Sequence, residues 1–274
     1  MSNQEQGEFW NGRTGEGWVS VESYIDQMLA PISEEAVRRA DPKEGERIID
    51  IGCGCGTTTL QLAAGGAAVW GVDISELMIE KAKEKTGDAA EVRFSVADAA
   101  AQDYTPDHHC VFSRFGVMFF SDPVAAFQNI RSALKPDGRL VFLCWQAPVN
   151  NPWMALVGQT LQPFMPEDAP QPAPTDPGPF AFADPGYTSD ILSKAGFAGV
   201  NIESVEKDMV LGEDLDQIMA FQSRVGPLSG LLATVDEETG EQAKQAVMNV
   251  LTSHLGERGV VLGAAAWLVT ARQS

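Results

Sequence analysis

From Trp18 to Ile32 the apolar residues Trp18, Val21, Ile25, Met28, Leu29 and Ile32 recur at helical spacing, which predicts an amphipathic N-terminal helix. Asp-Pro-Lys-Glu-Gly at 41–45 then interrupts the chain. From Arg47 the pattern alternates between short apolar runs and amphipathic stretches. RIIDI (47–51), AAVWGVD (67–73), AEVRFSVAD (90–98), HCVFSRFG (109–116) and RLVFLCW (139–145) read as strands. TTTLQLA (57–63), SELMIEKAKEK (75–85, with Ser75 as N-cap) and a stretch from about Pro123 to Leu134 read as helices. Pro-Asp-Gly at 136–138 turns the chain into the fifth strand. Strands alternating with helices predict a parallel sheet covered on both faces.

The middle of the chain breaks this rhythm. Seven prolines fall between Pro163 and Pro179, so neither a regular helix nor a central strand is expected there. A rigid surface loop and an active-site lid are both consistent with it. Beyond, 187–197 reads as a helix, 200–211 as a strand, Leu215 to Leu232 as a short helical insertion, 241–255 as a helix and 263–273 as a last strand. The expected division is an N-terminal helical lid (1–46), a core (47–146), a Pro-rich insertion (147–186) and a C-terminal part of the core (187–274) with a helical cap at about 212–235.

Composition narrows the partners. The chain has 274 residues, enough for one large domain with insertions. Its net charge of -19 excludes the basic footprint of a nucleic-acid binder and disfavours anionic membranes. A small-molecule partner is expected, with at most a second copy of the chain as a homodimer. The opening residues are polar and lack a signal pattern, so the expectation is a cytoplasmic protein with four reduced cysteines.

The chemistry concentrates at Gly52-Cys53-Gly54-Cys55-Gly56, between a strand and a helix. Glycines there let backbone approach a ligand beyond the carboxyl end of a strand. Asp50, Asp73 and Asp98 each fall at the end of one of the first three strands, so all three acids gather at the same sheet edge. A carboxylate at Asp73 suits the two hydroxyls of a ribose. Any one of them alone could be a helix cap.

Taken in order, IIDIGCGCG, VWGVDIS, VADAA and the block from His108 to Trp145 resemble the motifs of class I S-adenosylmethionine-dependent methyltransferases, closest to the small-molecule branch that includes ubiquinone and menaquinone C-methyltransferases. The resemblance covers about Arg47 to Trp145 and returns weakly near the C-terminus. It implies a Rossmann-like α/β fold, a seven-stranded mostly parallel sheet whose last strand is antiparallel, and S-adenosyl-L-methionine as cofactor. It further implies that Gly52, Gly54 and Gly56 pass beneath the methionyl part and that Asp50 helps hold its amino group, directly or through water. Asp73 would bind the ribose, Ile74 would pack on adenine, and Asp98 with Ala99 would face the adenine amino group. Arg114 would contact cofactor or substrate. FWNGRTGEGW, Phe9 to Trp18, is similar to N-terminal lids of that family, so Trp10 and Trp18 would cover the sulfonium. The alternative for Trp18 is a core anchor.

A dinucleotide oxidoreductase is the rival, but its G-x-G-x-x-G would need glycine where Thr57 stands. A non-catalytic cofactor-binding protein is the third reading. Cys53 and Cys55 lack the spacing of a zinc or redox pair, and Cys110 and Cys144 lie within strands, so no metal is expected. His108, His109 and His254 are expected as exposed residues away from catalysis. No general base stands out, leaving a positioning mechanism or local help from a carboxylate or Tyr24. The acceptor pocket is expected from the N-terminal helix, the Pro-rich segment and the insertion from Leu215 to Leu232; FMPED (164–168), VMFF (117–120) and FQSRVGPLSGLL (221–232) are apolar with few charges, and Tyr24, Phe115, Met118 and Arg224 are candidate substrate contacts.

Overall fold

The computed structural model describes residues 2–87, 91–166 and 173–273. The N-terminal stretch forms α1 (Asn3–Asn11), α2 (Arg13–Ser20) and α3 (Glu22–Ala40). The single expected helix is thus broken at Val21, which ends α2 and begins α3. The apolar stripe continues across the bend, so periodicity could not show it. The α1 helix falls within the expected helical lid, but the apolar periodicity, which starts at Trp18, does not mark it. Its signal is a capping box, with Ser2 and Glu5 each accepting the other's backbone N–H.

The alternating region gives β1 (Arg47–Ile51), α4 (Thr57–Ala63), β2 (Ala68–Asp73), α5 (Glu76–Thr86), β3 (Val92–Val96), β4 (His108–Arg114), α6 (Pro123–Ser132) and β5 (Leu134–Trp145). Ala90, the expected start of the third strand, lies outside the described residues, as do 167–172 of the Pro-rich run, with Glu167 and Asp168 of FMPED. Pro136-Asp137-Gly138 is an irregularity inside β5 rather than a turn before it. Register jumps there from His108↔Leu134 to Cys110↔Arg139, and Asp137 has φ +63°. Leu134 accordingly belongs to β5 and not to the helix before it. His108 opens β4 and is buried, and His109 is half-buried and accepts the Arg47 N–H at 2.9 Å, so neither is the exposed turn residue expected. Burial pushes the His108 pKa down.

Then follow α7 (Pro152–Leu161), α8 (Pro185–Lys194), β6 (Phe197–Gly212), α9 (Leu215–Gln222), α10 (Pro227–Leu232), α11 (Glu237–Thr252), β7 (Leu255–Gly256) and β8 (Gly259–Gln273). The sheet order is β3-β2-β1-β4-β5-β8-β6, with the two-residue β7 on β8 as an eighth member. β8 is antiparallel to both β5 and β6, and the first five strands pair parallel. Order runs outward one way from β1 to β3 and the other way from β4 to β5. Right-handed crossovers therefore put α4 and α5 on one face and α6 on the other.

The central strands are buried on both faces, as a doubly covered sheet requires: β1 and β5 carry near-continuous apolar runs. Phe127 of α6 meets the rings of Phe142, Phe182 and Phe197 with centroids 5.5, 6.0 and 6.4 Å away. Each fully buried phenylalanine is worth roughly 2–3 kcal/mol, so this cluster anchors α6 and the segment after the prolines. α3 enters the same core through Ile25, Met28, Leu29, Ile32, Ala36 and Ala40.

Candidate active site

The loop after β1 lies where strand order reverses, the position at which open parallel sheets bind ligands. Gly52, Gly54 and Gly56 have φ of +64°, +54° and +82°, values that side chains resist. At Gly52 space adds a second demand, because a Cβ would sit 2.7 Å from the Cα of Gly116 after β4. The Ser113 hydroxyl fastens the same junction by donating to the Ile51 carbonyl at 2.7 Å. Gly52, Gly54 and Gly116 line a cavity of about 920 Å³. Gly56 does not, and sits instead against Phe94 and Ala82.

The three acids have different fates. Asp73 is buried at the cavity wall and braces the loop, accepting the Gly54 N–H and the Ser75 N–H, each at 2.9 Å. Burial pushes its pKa up, against the pull of those donors. Asp98 also lines the cavity, and both its oxygens are engaged, one by the Ala100 N–H at 2.9 Å and the other by the Asn3 amide at 2.6 Å. Asp50 is fully buried and does not line the cavity, so no direct ligand contact is available to it. Its Oδ2 accepts the hydroxyls of Thr58 and Thr59, both at 2.7 Å, which ties the start of α4 to β1. Its Oδ1 is orphaned, and burial raises the pKa to about 6.

The roof is built by α1 and α2. Asn11 donates to the Ile74 carbonyl at 3.1 Å and accepts the Glu76 N–H at 2.7 Å, while Ser75 donates to the Trp10 carbonyl at 2.8 Å. Trp10 packs edge-on against Phe119 and Trp18, with centroids at 5.2 and 5.9 Å. Trp10, Trp18, Ile74 and Ala99 all face the cavity. On its other side α2 seats Gly17 against the backbone of Arg224, where a Cβ would come within 2.4 Å of the carbonyl oxygen.

Arg114 lines the cavity, yet its guanidinium faces α3, donating to Asp26 at 3.0 Å and Ser33 at 3.2 Å. Thr57 donates to the same Asp26, so α3, β4 and α4 meet on one carboxylate. Phe115 adopts φ +61° and stacks on Trp145 at 3.9 Å, a strained backbone held by packing. Trp153 of α7 extends this aromatic wall, 5.2 Å from Trp145. Met118 and Arg224 also border the cavity, Arg224 from an exposed position. Tyr24 does not: its hydroxyl donates to the Leu211 carbonyl, its ring packs on Phe221, and burial raises its pKa to about 12. Among the site residues unseen in sequence are Asn3 and Gln6 on α1, and Trp145 and Trp153 of the aromatic wall. Cys53 and Cys55 are buried, and burial lifts both thiol pKa values, that of Cys55 to about 12.

Comparison with known proteins now joins the geometry. Residues 48–138 match the family model described as a methyltransferase domain. Over that stretch the chain is similar to methyltransferase domains. Outside that stretch lie α1–α3 before it and, after it, the rest of β5 and the helices and strands that follow. Phosphoethanolamine N-methyltransferase 1 of Triticum aestivum is 31% identical over 130 residues, which cover 46% of this chain and 25% of that protein. Demethylmenaquinone methyltransferase of Clavibacter sepedonicus is 33% identical over 124 residues, covering 45% and 49%. The chain thus spans a quarter to a half of the length of these curated relatives. Among solved structures, Haemonchus contortus phosphoethanolamine N-methyltransferase 2 in complex with S-adenosyl-L-methionine superposes with a TM-score of 0.55 at 20% identity, over 89% of this chain and 52% of that one. That likeness speaks to the fold.

Proposed function

We propose that this chain transfers a methyl group from S-adenosylmethionine to a small, moderately hydrophobic molecule. The observation that carries the reading is the convergence of Gly52, Gly54, Asp73, Ile74 and Asp98 on one cavity at the sheet's switch point. The residues fit the cofactor. The positive-φ glycines would keep the wall flat beside the amino-acid part, Asp73 would take the ribose, and Ile74 with Asp98 and Ala99 would flank the base. Trp10 and Trp18 offer aromatic faces to a sulfonium. When bound, the cofactor supplies an electrophilic methyl group.

The protein's own part is positioning. Among the described residues no histidine lines the cavity, and its only carboxylates are Asp73 and Asp98. Tyr24 is turned away. Beside Arg13, Arg114 and Arg224, much of the remaining lining is the aromatic wall of Phe115, Trp145 and Trp153, with Met154, Phe180 and Phe221 also lining the cavity. Such a surface orients an apolar acceptor and excludes water, and orientation can supply about 7–11 kcal/mol of a barrier. This lining favours a ring-bearing acceptor over one as polar as phosphoethanolamine. Turnover of methyl-labelled cofactor across a panel of phenols, quinols, amines and acids tests the reading. Transfer confined to apolar cyclic acceptors is expected, and binding without transfer to any acceptor would favour a non-catalytic protein.

A further inference from the structure

Gln6 is 4% exposed, lines the cavity, and has neither amide atom hydrogen-bonded. Burying an amide without a partner is costly, so a fold that keeps one at a ligand cavity leaves it free for the ligand. Its neighbours say which part. One turn earlier on α1, Asn3 holds Asp98; one residue later, Gly7 lies over Ile74, where a Cβ would be 3.7 Å from the Ile74 side chain. Gln6 therefore hangs from the roof over the Ile74–Asp98 end of the cavity. Both oxygens of Asp98 act as acceptors, so it offers a base no donor for a ring nitrogen.

We infer that Gln6 hydrogen-bonds the adenine base of the cofactor, giving the base its polar recognition and making the seating of α1 depend on the ligand. This rests on the cofactor reading above. A glutamine amide carries one donor side and one acceptor side, the match for an adenine amino group and its neighbouring ring nitrogen. Gly7 opens the space above Ile74, and Asn3 and Asn11 set the helix at that height.

The test is calorimetric titration of the whole chain with S-adenosyl-L-homocysteine and with its purine analogue lacking the 6-amino group. No acceptor is present, so an acceptor-binding role cannot produce the effect. Wild type should favour the amino form about tenfold, Gln6→Leu should bind it about tenfold more weakly, and the two losses should not add, because both remove one interaction. Gln6→Glu, which keeps the shape but loses the donor, should also bind more weakly. Melting without ligand separates recognition from structure: Gln6→Leu should melt at or above wild type, since the amide is unpaired there. Unchanged affinity in Gln6→Leu, additive losses, or weaker binding matched by a lower unliganded melting temperature would each overturn the assignment. Failure of wild type to bind S-adenosyl-L-homocysteine at all would instead bring down the cofactor reading, and this inference with it.

Discussion

Gly52 and Gly54 share a left-handed backbone but differ in the space around them, which makes the pair a graded test of the loop. Alanine at either position must adopt positive φ, costing roughly 1–2 kcal/mol. At Gly54 the cost ends there, because the nearest atom to a Cβ is the Met78 sulfur at 3.9 Å. At Gly52 the Cβ meets the Gly116 Cα at 2.7 Å, so two backbone segments must part. Forcing atoms into packed structure adds about 1–3 kcal/mol. Gly52→Ala should therefore lose about 2–5 kcal/mol and Gly54→Ala about 1–2 kcal/mol. Urea unfolding followed by circular dichroism reads both, with m unchanged if the folded state stays compact. Equal midpoints for the two variants would refute the claim that close approach of β1 and β4, rather than φ alone, demands Gly52.

Other expectations concern charge. For Asp50, raised to about 6 by burial, the proton is favoured by the fold, so its stabilising effect is present below the ordinary pKa of 3.8 and lost as pH rises through 6. Against Asp50→Asn, wild type should lose on the order of 3 kcal/mol between pH 4 and 7, and parallel melting curves would refute this. Asp26 behaves oppositely: burial pushes it up, but Arg114, the Thr57 hydroxyl and Lys85 outweigh that and hold its pKa low. Asp26→Asn should cost about 2 kcal/mol at pH 7 and progressively less as the pH falls below 4, read by denaturant unfolding at both pH values. Replacing Cys53 and Cys55 together by alanine should leave S-adenosylmethionine affinity within about threefold, since both act as small buried side chains. In native protein at pH 8 both thiols should resist Ellman's reagent, and rapid labelling would contradict their burial.

Much of the fold was legible because its periodicities are strong. The runs of β1, β2, β4 and β5 are apolar enough to read as strands buried on both faces, and strand–helix alternation fixes parallel pairing. The cavity end of the sheet was legible through glycines and acids at strand ends. What escaped is physically consistent. The α1 helix is polar, and its importance comes from tertiary contacts to Asp98, Ile74 and Ser75 that no local pattern carries. α7 lies in the segment read as a Pro-rich insertion, although Trp153, Val157 and Leu161 repeat every fourth residue and all turn inward. Asp50 and Tyr24 have the right chemistry and the wrong surroundings. Thr58 and Thr59 bond one oxygen of Asp50 away from the cavity and Leu211 holds the Tyr24 hydroxyl, and only three dimensions show that.

The most direct measurement is calorimetric titration of the whole chain with S-adenosylmethionine and, separately, with NADH, repeated on Asp73→Ala. S-adenosylmethionine should bind to wild type and about tenfold or more weakly to Asp73→Ala, because a charge-assisted pair of hydrogen bonds is lost, while NADH should not bind. Binding of NADH without S-adenosylmethionine, or affinity for S-adenosylmethionine untouched by Asp73→Ala, would contradict the account.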